Sequence, residues 1–212
     1  MTTQEIFNAV LAFDEATVTS KTQAQIDAGT DIQSILNDGL ISAMDEVGER
    51  FSAGELFVPE MLMAAQAMKA GLELLKPHLG EGAGRSKGTV VIGTVKGDLH
   101  DIGKNLVAMM MEGAGFDVID LGVDVESEAF VKTAAEKDAD VIALSALLTT
   151  TMPAMKETID LFSAAGLRER FKFIVGGSPV SQRFADEIGA DGYGEDAQAG
   201  VELAKKLVGV QP

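Results

Sequence analysis

The chain has no cysteine and no tryptophan, a single tyrosine and only two histidines in 212 residues. Without cysteine, disulfides, zinc–thiolate sites and thiol nucleophiles are all excluded. Basic residues are scarce as well: 17 Lys and Arg stand against 33 Asp and Glu, for a net charge of −16. Such a field repels phosphate backbones and anionic lipid, which argues against nucleic-acid and membrane partners. Its plain meaning is solubility, with basic protein partners also favoured. No apolar run approaches the roughly 18 to 20 residues that span a bilayer. The opening Met1-Thr2-Thr3-Gln4-Glu5 lacks the basic region of a secretory signal, which leaves the cytoplasm as the default compartment. What is present, 46% apolar and 24% charged residues, is ordinary for a globular protein of one large domain or two small ones.

Two patterns divide the chain. Residues 1–79 read as helix, with apolar side chains at helical spacing in Ile6, Val10, Ile32, Ile35, Leu40, Met44 and Val47. Asp31 follows Gly29-Thr30 and suits the N-cap of a long third helix that ends at Phe51-Ser52-Ala53-Gly54. Pro59 fits the first turn of a fourth, running from Glu60 to Leu75. Four helices with short connections predict an antiparallel bundle, and Met61, Met63 and Met68 within it read as adaptable core packing.

Residues 80–88, Gly-Glu-Gly-Ala-Gly-Arg-Ser-Lys-Gly, have the composition of a flexible linker. From 89 to 212 strands and helices alternate. Strands are expected at Thr89–Val95, Asp117–Leu121, Val141–Leu147, Phe171–Val175 and near Asp191–Tyr193. Helices are expected at Gly103–Gly113, Glu126–Lys137, Met152–Ala165, Gln182–Ile188 and Ala197–Leu207. Such units predict a doubly wound, five-stranded parallel sheet of flavodoxin/Rossmann-like type, so the fold class is a helical bundle followed by an α/β domain.

Three strand-to-helix loops of that sheet carry unusual residues, and all three leave it on one edge. The first is Gly97-Asp98-Leu99-His100-Asp101-Ile102-Gly103. Asp98 is placed to hold one ring nitrogen of His100 and leave the other for a metal, while Gly103 lets a bulky group approach the backbone. A lone loop histidine is more often structural or solvated, but this spacing at a strand's carboxyl end favours ligation. His78, after Pro77 at a helix end, reads as a surface residue. The second loop, Ser145 to Thr151, holds four hydroxyls in seven residues, more than one helix cap needs. The third contains Gly176-Gly177, a weak signal alone.

On these residues the chain resembles the corrinoid-binding proteins of methyltransferase systems and is similar to the cobalamin-binding module of methionine synthase. The resemblance rests on Gly-Asp-Leu-His-Asp-Ile-Gly-Lys-Asn (97–105), Ser-Ala-Leu (145–147), Gly-Gly (176–177) and Val-Gly-Glu-Arg-Phe-x-x-Gly-Glu-Leu-Phe-Val-Pro-Glu (47–60). It implies cobalamin bound base-off and His-on. The benzimidazole tail would be buried in the α/β domain, with His100 the lower axial ligand of cobalt. Asp98 would hold the far nitrogen and Thr151 would extend the relay, where the family usually has serine. Gly97, Leu99, Asp101, Ile102 and Gly103 would line the same loop. Ser145, Leu147 and Thr149 would meet the tail, Gly176 and Gly177 would leave room for the nucleotide loop, and Tyr193 and Gly194 would close over it. The helical part would cap the reactive face, with Phe51 and Val58 above the methyl group, and the linker would act as its hinge.

The implied function is that of a methyl carrier. It would take a methyl group on Co(I) from a substrate-specific methyltransferase and pass it as methyl-Co(III) to a second methyltransferase, serving tetrahydrofolate or a thiol cofactor. A reductive activase would rescue Co(II). With only cap and cobalamin domain in 212 residues, a carrier subunit is expected rather than a complete enzyme. The rivals are a cobalamin-dependent sensor or regulator, the small subunit of a carbon-skeleton mutase, and a flavodoxin-like module without corrin. The methyl donor, among methylamines, quaternary amines, methoxylated aromatics, methanol and methyl sulfides, is left open.

Overall fold

The computed structural model describes residues 3–78 and 86–209, and these form two compact units, one of helices and one of alternating strands and helices. Residues 80–85 of the expected linker lie outside the described residues.

The helical unit comprises α1 (Thr3–Leu11), α2 (Glu15–Asp27), a run made of α3 (Ile32–Ser34), a π segment (Ile35–Ile41) and α4 (Ser42–Ser52), and α5 (Val58–Leu75). Short polar side chains start several of them, because the first N–H groups of a helix have no partner within it. Asp14 accepts from Thr17 N at 3.0 Å, and Asp31 from Ser34 N at 2.9 Å. Pro59 lies in the first turn of α5, and Glu60 reaches back to accept from Phe57 N at 2.8 Å.

The third helix departs from the α period that its spacing predicts. Across Ile35–Ile41 the turn widens, and both the N–H and the hydroxyl of Ser42 bond to Asn37 O, five residues back. The wider turn buries Ile35 and then the consecutive Gly39, Leu40 and Ile41, more than one α-helical stripe holds. Gly71 of α5 lies so close to α2 and the π segment that a Cβ there would come within 2.9 Å of Val18 and 3.0 Å of Leu40. Met61 and Met68 are core residues, as expected, whereas Met63 is 47% exposed.

The second unit holds β1 (Thr89–Thr94), α6 (Ile102–Gly113), β2 (Asp117–Asp120), α7 (Ser127–Glu136), β3 (Val141–Ser145), α8 (Pro153–Ala164), β4 (Lys172–Gly176), α9 (Gln182–Ile188), β5 (Gly192–Gly194) and α10 (Ala197–Leu207). Every pairing is parallel and the strand order is β2-β1-β3-β4-β5. β1, β3 and β4 are continuous apolar runs because helices cover both faces of the sheet. One core cluster gathers Phe130, Phe162, Phe171 and Phe173, all fully buried. The Phe162 ring meets Phe171 and Phe173 edge-on, at centroid distances of 5.4 and 5.0 Å.

This strand order reverses direction between β1 and β3. In an open parallel sheet the ligand crevice lies outside the carboxyl ends of the two strands at that reversal. Among the described residues no helix is long and apolar enough to cross a membrane.

Candidate functional site

The loops that leave β1 and β3 meet at this reversal, and Asp98 is what they meet around. Its side chain is fully buried. Oδ1 accepts from the His100 ring Nδ1 at 2.6 Å and from His100 N at 3.1 Å. Oδ2 accepts from Thr151 Oγ1 at 2.7 Å, Leu147 N at 2.7 Å and Leu148 N at 3.3 Å. A buried carboxylate is costly unless its oxygens are satisfied, and here donors from two loops satisfy them. Burial pushes the Asp98 pKa up. The bonds from Thr151, the His100 ring, Leu147 N–H and His100 N–H outweigh it and hold the carboxyl well below its ordinary value of 3.8.

An ionised carboxylate only accepts, so Nδ1 of His100 carries the proton, and it is Nε2 that is left to offer a lone pair to a metal. That ring is half-exposed. Thr151 has one hydroxyl proton and two acceptors near it, Asp98 Oδ2 at 2.7 Å and Leu148 O at 2.9 Å. The charged oxygen is the stronger acceptor, so the hydroxyl completes a line from Thr151 through Asp98 to His100.

Removing that hydroxyl tests the line. Thr151→Val keeps the shape and takes one donor from a buried anion, at a cost of about 1.5–3 kcal/mol. A depressed carboxyl contributes stability that is in place above pH 3.8 and lost as pH falls through its folded-state value. The variant raises that value, so urea unfolding of the apoprotein at pH 7 should show lower stability. Its acid transition should start at higher pH than that of the unaltered protein, and coincident curves would refute the arrangement.

The rim around the imidazole is apolar and open. Leu99 and Ile102 are 72% and 80% exposed, and Leu147 and Leu148 are each 42% exposed. At Gly103 an added Cβ would meet nothing within 4 Å. Asp101 is exposed and accepts from the Asn105 side chain at 3.2 Å. Lys104, quoted in the motif without a role, is buried and bridges Asn105 Oδ1 and Asp120 Oδ2. It ties the first turn of α6 to the end of β2.

The other expected residues fall as follows. Gly97 has φ +81 and Ser145, half-buried, ends β3 opposite Gly176. Thr149 is exposed. Gly177 has φ +124, and a Cβ there would stand 1.9 Å from Ala146 O, so the immediate demand for glycine comes from the loop after β3. Gly194 is needed by α10, since its Cβ would lie 3.1 Å from Gly200 Cα. Tyr193 pairs with Val175 and packs partly against the core. In the helical unit Phe51 is half-buried in the last turn of α4, and Val58 is 37% exposed at the start of α5. His78 is exposed, as expected.

Two residues of this site escape the sequence reading. Thr94 is fully buried at the end of β1 and donates its hydroxyl to His100 O at 2.8 Å. A hydroxyl in an otherwise apolar strand is a legible sign of a buried partner. Asp124, in the loop after β2, bonds to Gly97 and Asp98, and no periodicity marks it.

Comparisons with known proteins show which family the chain is similar to. Two families described as B12 binding domain match the chain, one over residues 88–202 and the other over residues 2–76. A corrinoid protein of Desulfitobacterium hafniense (strain Y51) is 46% identical over 208 residues, 97% of this chain and 96% of that protein. Dimethylamine corrinoid protein 1 of Methanosarcina acetivorans is 45% identical over 206 residues, 97% of this chain and 96% of its own length. The methanol:cobalamin methyltransferase complex MtaBC of Methanosarcina barkeri matches with a TM-score of 0.88 at 33% identity, covering 98% of this chain and 79% of that one.

Proposed function

The chain belongs to the corrinoid proteins with B12 binding domains, and from that premise we propose that it is the methyl-carrier subunit of a methyltransferase system. It binds cobalamin.

The residues present fit that group. Among the described residues no three His, Cys, Asp or Glu gather to cage a free ion. A single imidazole would suit a metal that arrives already held by an organic ligand of its own. Leu99, Ile102, Leu147 and Leu148 offer an exposed apolar rim for the flat face of a macrocycle. When bound, the cobalamin supplies a cobalt that takes up a methyl group in its reduced state and releases it to an acceptor.

The chain's own part is to hold and tune. His100 would hold the cobalt through Nε2, in the place of the benzimidazole. Asp98 fixes the ring and its tautomer, and Thr151 steadies Asp98, so the pair sets how strongly the imidazole donates. Gly97, Asp101 and Gly103 shape the loop beside the ring. Ser145, Thr149, Gly176, Gly177, Tyr193 and Gly194 are proposed to line the place of the tail. The helical unit to residue 79 is the proposed cap, with Phe51 and Val58 as its apolar lining, and 80–88 the proposed linker.

A methyltransferase is the partner this reading requires, and the likeness to the methanol:cobalamin methyltransferase complex supports it. A second methyltransferase and a reductive activase complete the proposed system. Methylated amines come first as donors, since the relatives include a dimethylamine corrinoid protein. The observation that carries the reading is the fully buried Asp98 holding Nδ1 of a half-exposed imidazole at the β1–β3 reversal. To test it, the reduced holoprotein is mixed with candidate methyltransferases, each with its donor, and the visible band of the reduced cobalt is followed. One enzyme–donor pair is expected to discharge that band in seconds to minutes. Persistence of the band with every pair, when each discharges its own known carrier, would refute the carrier role.

A further inference from the structure

Among the described residues, Asp124 is one of three other than glycine with a left-handed backbone, at φ 53. Such a conformation is uphill for a residue with a Cβ and persists where the surroundings over-determine it. Here the surroundings are the histidine loop itself. Asp124 N donates to Asp98 O at 2.9 Å, and Asp124 Oδ1 accepts from Gly97 N at 2.7 Å. One residue therefore grips two consecutive residues at the base of the loop. Its neighbours hold it against the same strand: Val125 N donates to Thr94 O at 3.0 Å, and Thr94 N to Gly122 O at 3.0 Å. Thr94 in turn anchors the far side of the loop through His100 O.

We propose that Asp124 is a positioning residue, setting the height and tilt at which the loop presents His100 Nε2 to the metal. The proposal rests on the axial-ligand reading above. The loop after β1 is gripped at Gly97–Asp98 by Asp124, at the Asp98 carboxylate by the loop after β3, and at the His100 carbonyl by Thr94. The bonds to Thr94 and to the loop after β3 tie His100 and Asp98 to β1 and β3. Among the described residues, Asp124 is the one that bonds the Asp98 backbone to the segment between β2 and α7. Without it the imidazole and its carboxylate stay paired and keep their bonds to the loop after β3 and to Thr94, but the base of the loop loosens and the position of the ring is less sharply set.

Two variants separate this role from mere folding. Asp124→Gly keeps the left-handed backbone without strain and deletes the carboxylate. Asp124→Asn keeps both the backbone preference and an oxygen that accepts from Gly97 N–H. Each is loaded with cobalamin, reduced to Co(II), and examined by electron paramagnetic resonance for the splitting from an axial imidazole nitrogen. Loss of one hydrogen bond corresponds to about a fivefold fall in the ratio of ligated to unligated centres. The expectation is that fall in Asp124→Gly, a Co(II)/Co(I) potential moved to a more positive value, and recovery of both in Asp124→Asn. Nitrogen splitting in Asp124→Gly equal to that of the unaltered protein would overturn the proposal alone, even if its melting temperature had dropped. Absence of the splitting from the unaltered protein would overturn axial ligation, and this proposal with it.

Discussion

In His100→Ala the axial nitrogen splitting of the Co(II) form is expected to vanish, and cobalamin retention to weaken at least about tenfold. The magnitude follows from what the ring contributes. Changing a group that merely orients a metal ligand costs about 10–100-fold in affinity, and here the donor itself is lost. The fold should survive, because the ring is half-exposed while the buried member of the pair is Asp98. Asp98 would keep Thr151 Oγ1, Leu147 N and Leu148 N, so its charge stays compensated. Water can reach the oxygen that the half-exposed ring vacates, so the apoprotein should lose less stability in urea than Thr151→Val does. Without the imidazole, the reduced cobalt state, which needs no axial donor, is favoured relative to the oxidised ones, so the Co(II)/Co(I) potential should rise. Titration with cobalamin and spectroscopic potentiometry check both expectations. An unchanged spectrum, potential and affinity would remove His100 from the metal and with it the proposed role of the relay.

The sheet was legible because its cause is local. β1, β3 and β4 are buried on both faces and read as apolar runs, glycines punctuate the junctions, and every expected strand and helix of the second unit occurs within a residue or two of its place. The expected strand Val141–Leu147 ends at Ser145 because Leu147 N–H turns away to Asp98, a contact between loops far apart in sequence. The π segment in the third helix was not legible either. Its apolar residues are compatible with an α period, and the wider turn is set by which of them tertiary packing buries. In the site, Asp98, His100 and Thr151 showed themselves by residue type and spacing. Asp124 did not, since its role lies in a left-handed backbone and two bonds to peptide groups, and neither leaves a pattern in the residues around it. The glycines divide in the same way. Composition marks Gly103 and Gly177 alike, but only geometry tells what each makes room for.

That division makes a paired prediction with opposite outcomes. At Gly177 a Cβ would stand 1.9 Å from Ala146 O and 2.9 Å from Ala146 C, and the backbone has φ +124. Both obstructing atoms belong to a peptide unit that follows directly on β3, which pairs with β4 through Ser145 and Gly176. No side chain can rotate out of the way, so the carboxyl ends of β3 and β4 must part. Strain of a left-handed position costs about 1–3 kcal/mol before the clash is counted, and Gly177→Ala is therefore expected to lose more than about 3 kcal/mol. At Gly103, in the first turn of α6, φ is ordinary and nothing lies within 4 Å of the added carbon. Gly103→Ala should leave the apoprotein as stable or up to about 1 kcal/mol more stable, since alanine is the better helix former. Its methyl group would instead occupy the open space beside His100, so cobalamin should bind less tightly. Urea unfolding of the two apoproteins and cobalamin titration of Gly103→Ala read these effects separately. A wild-type urea midpoint in Gly177→Ala would contradict the close approach of the two loops. Unaltered cobalamin affinity in Gly103→Ala would place the macrocycle elsewhere than over the start of α6.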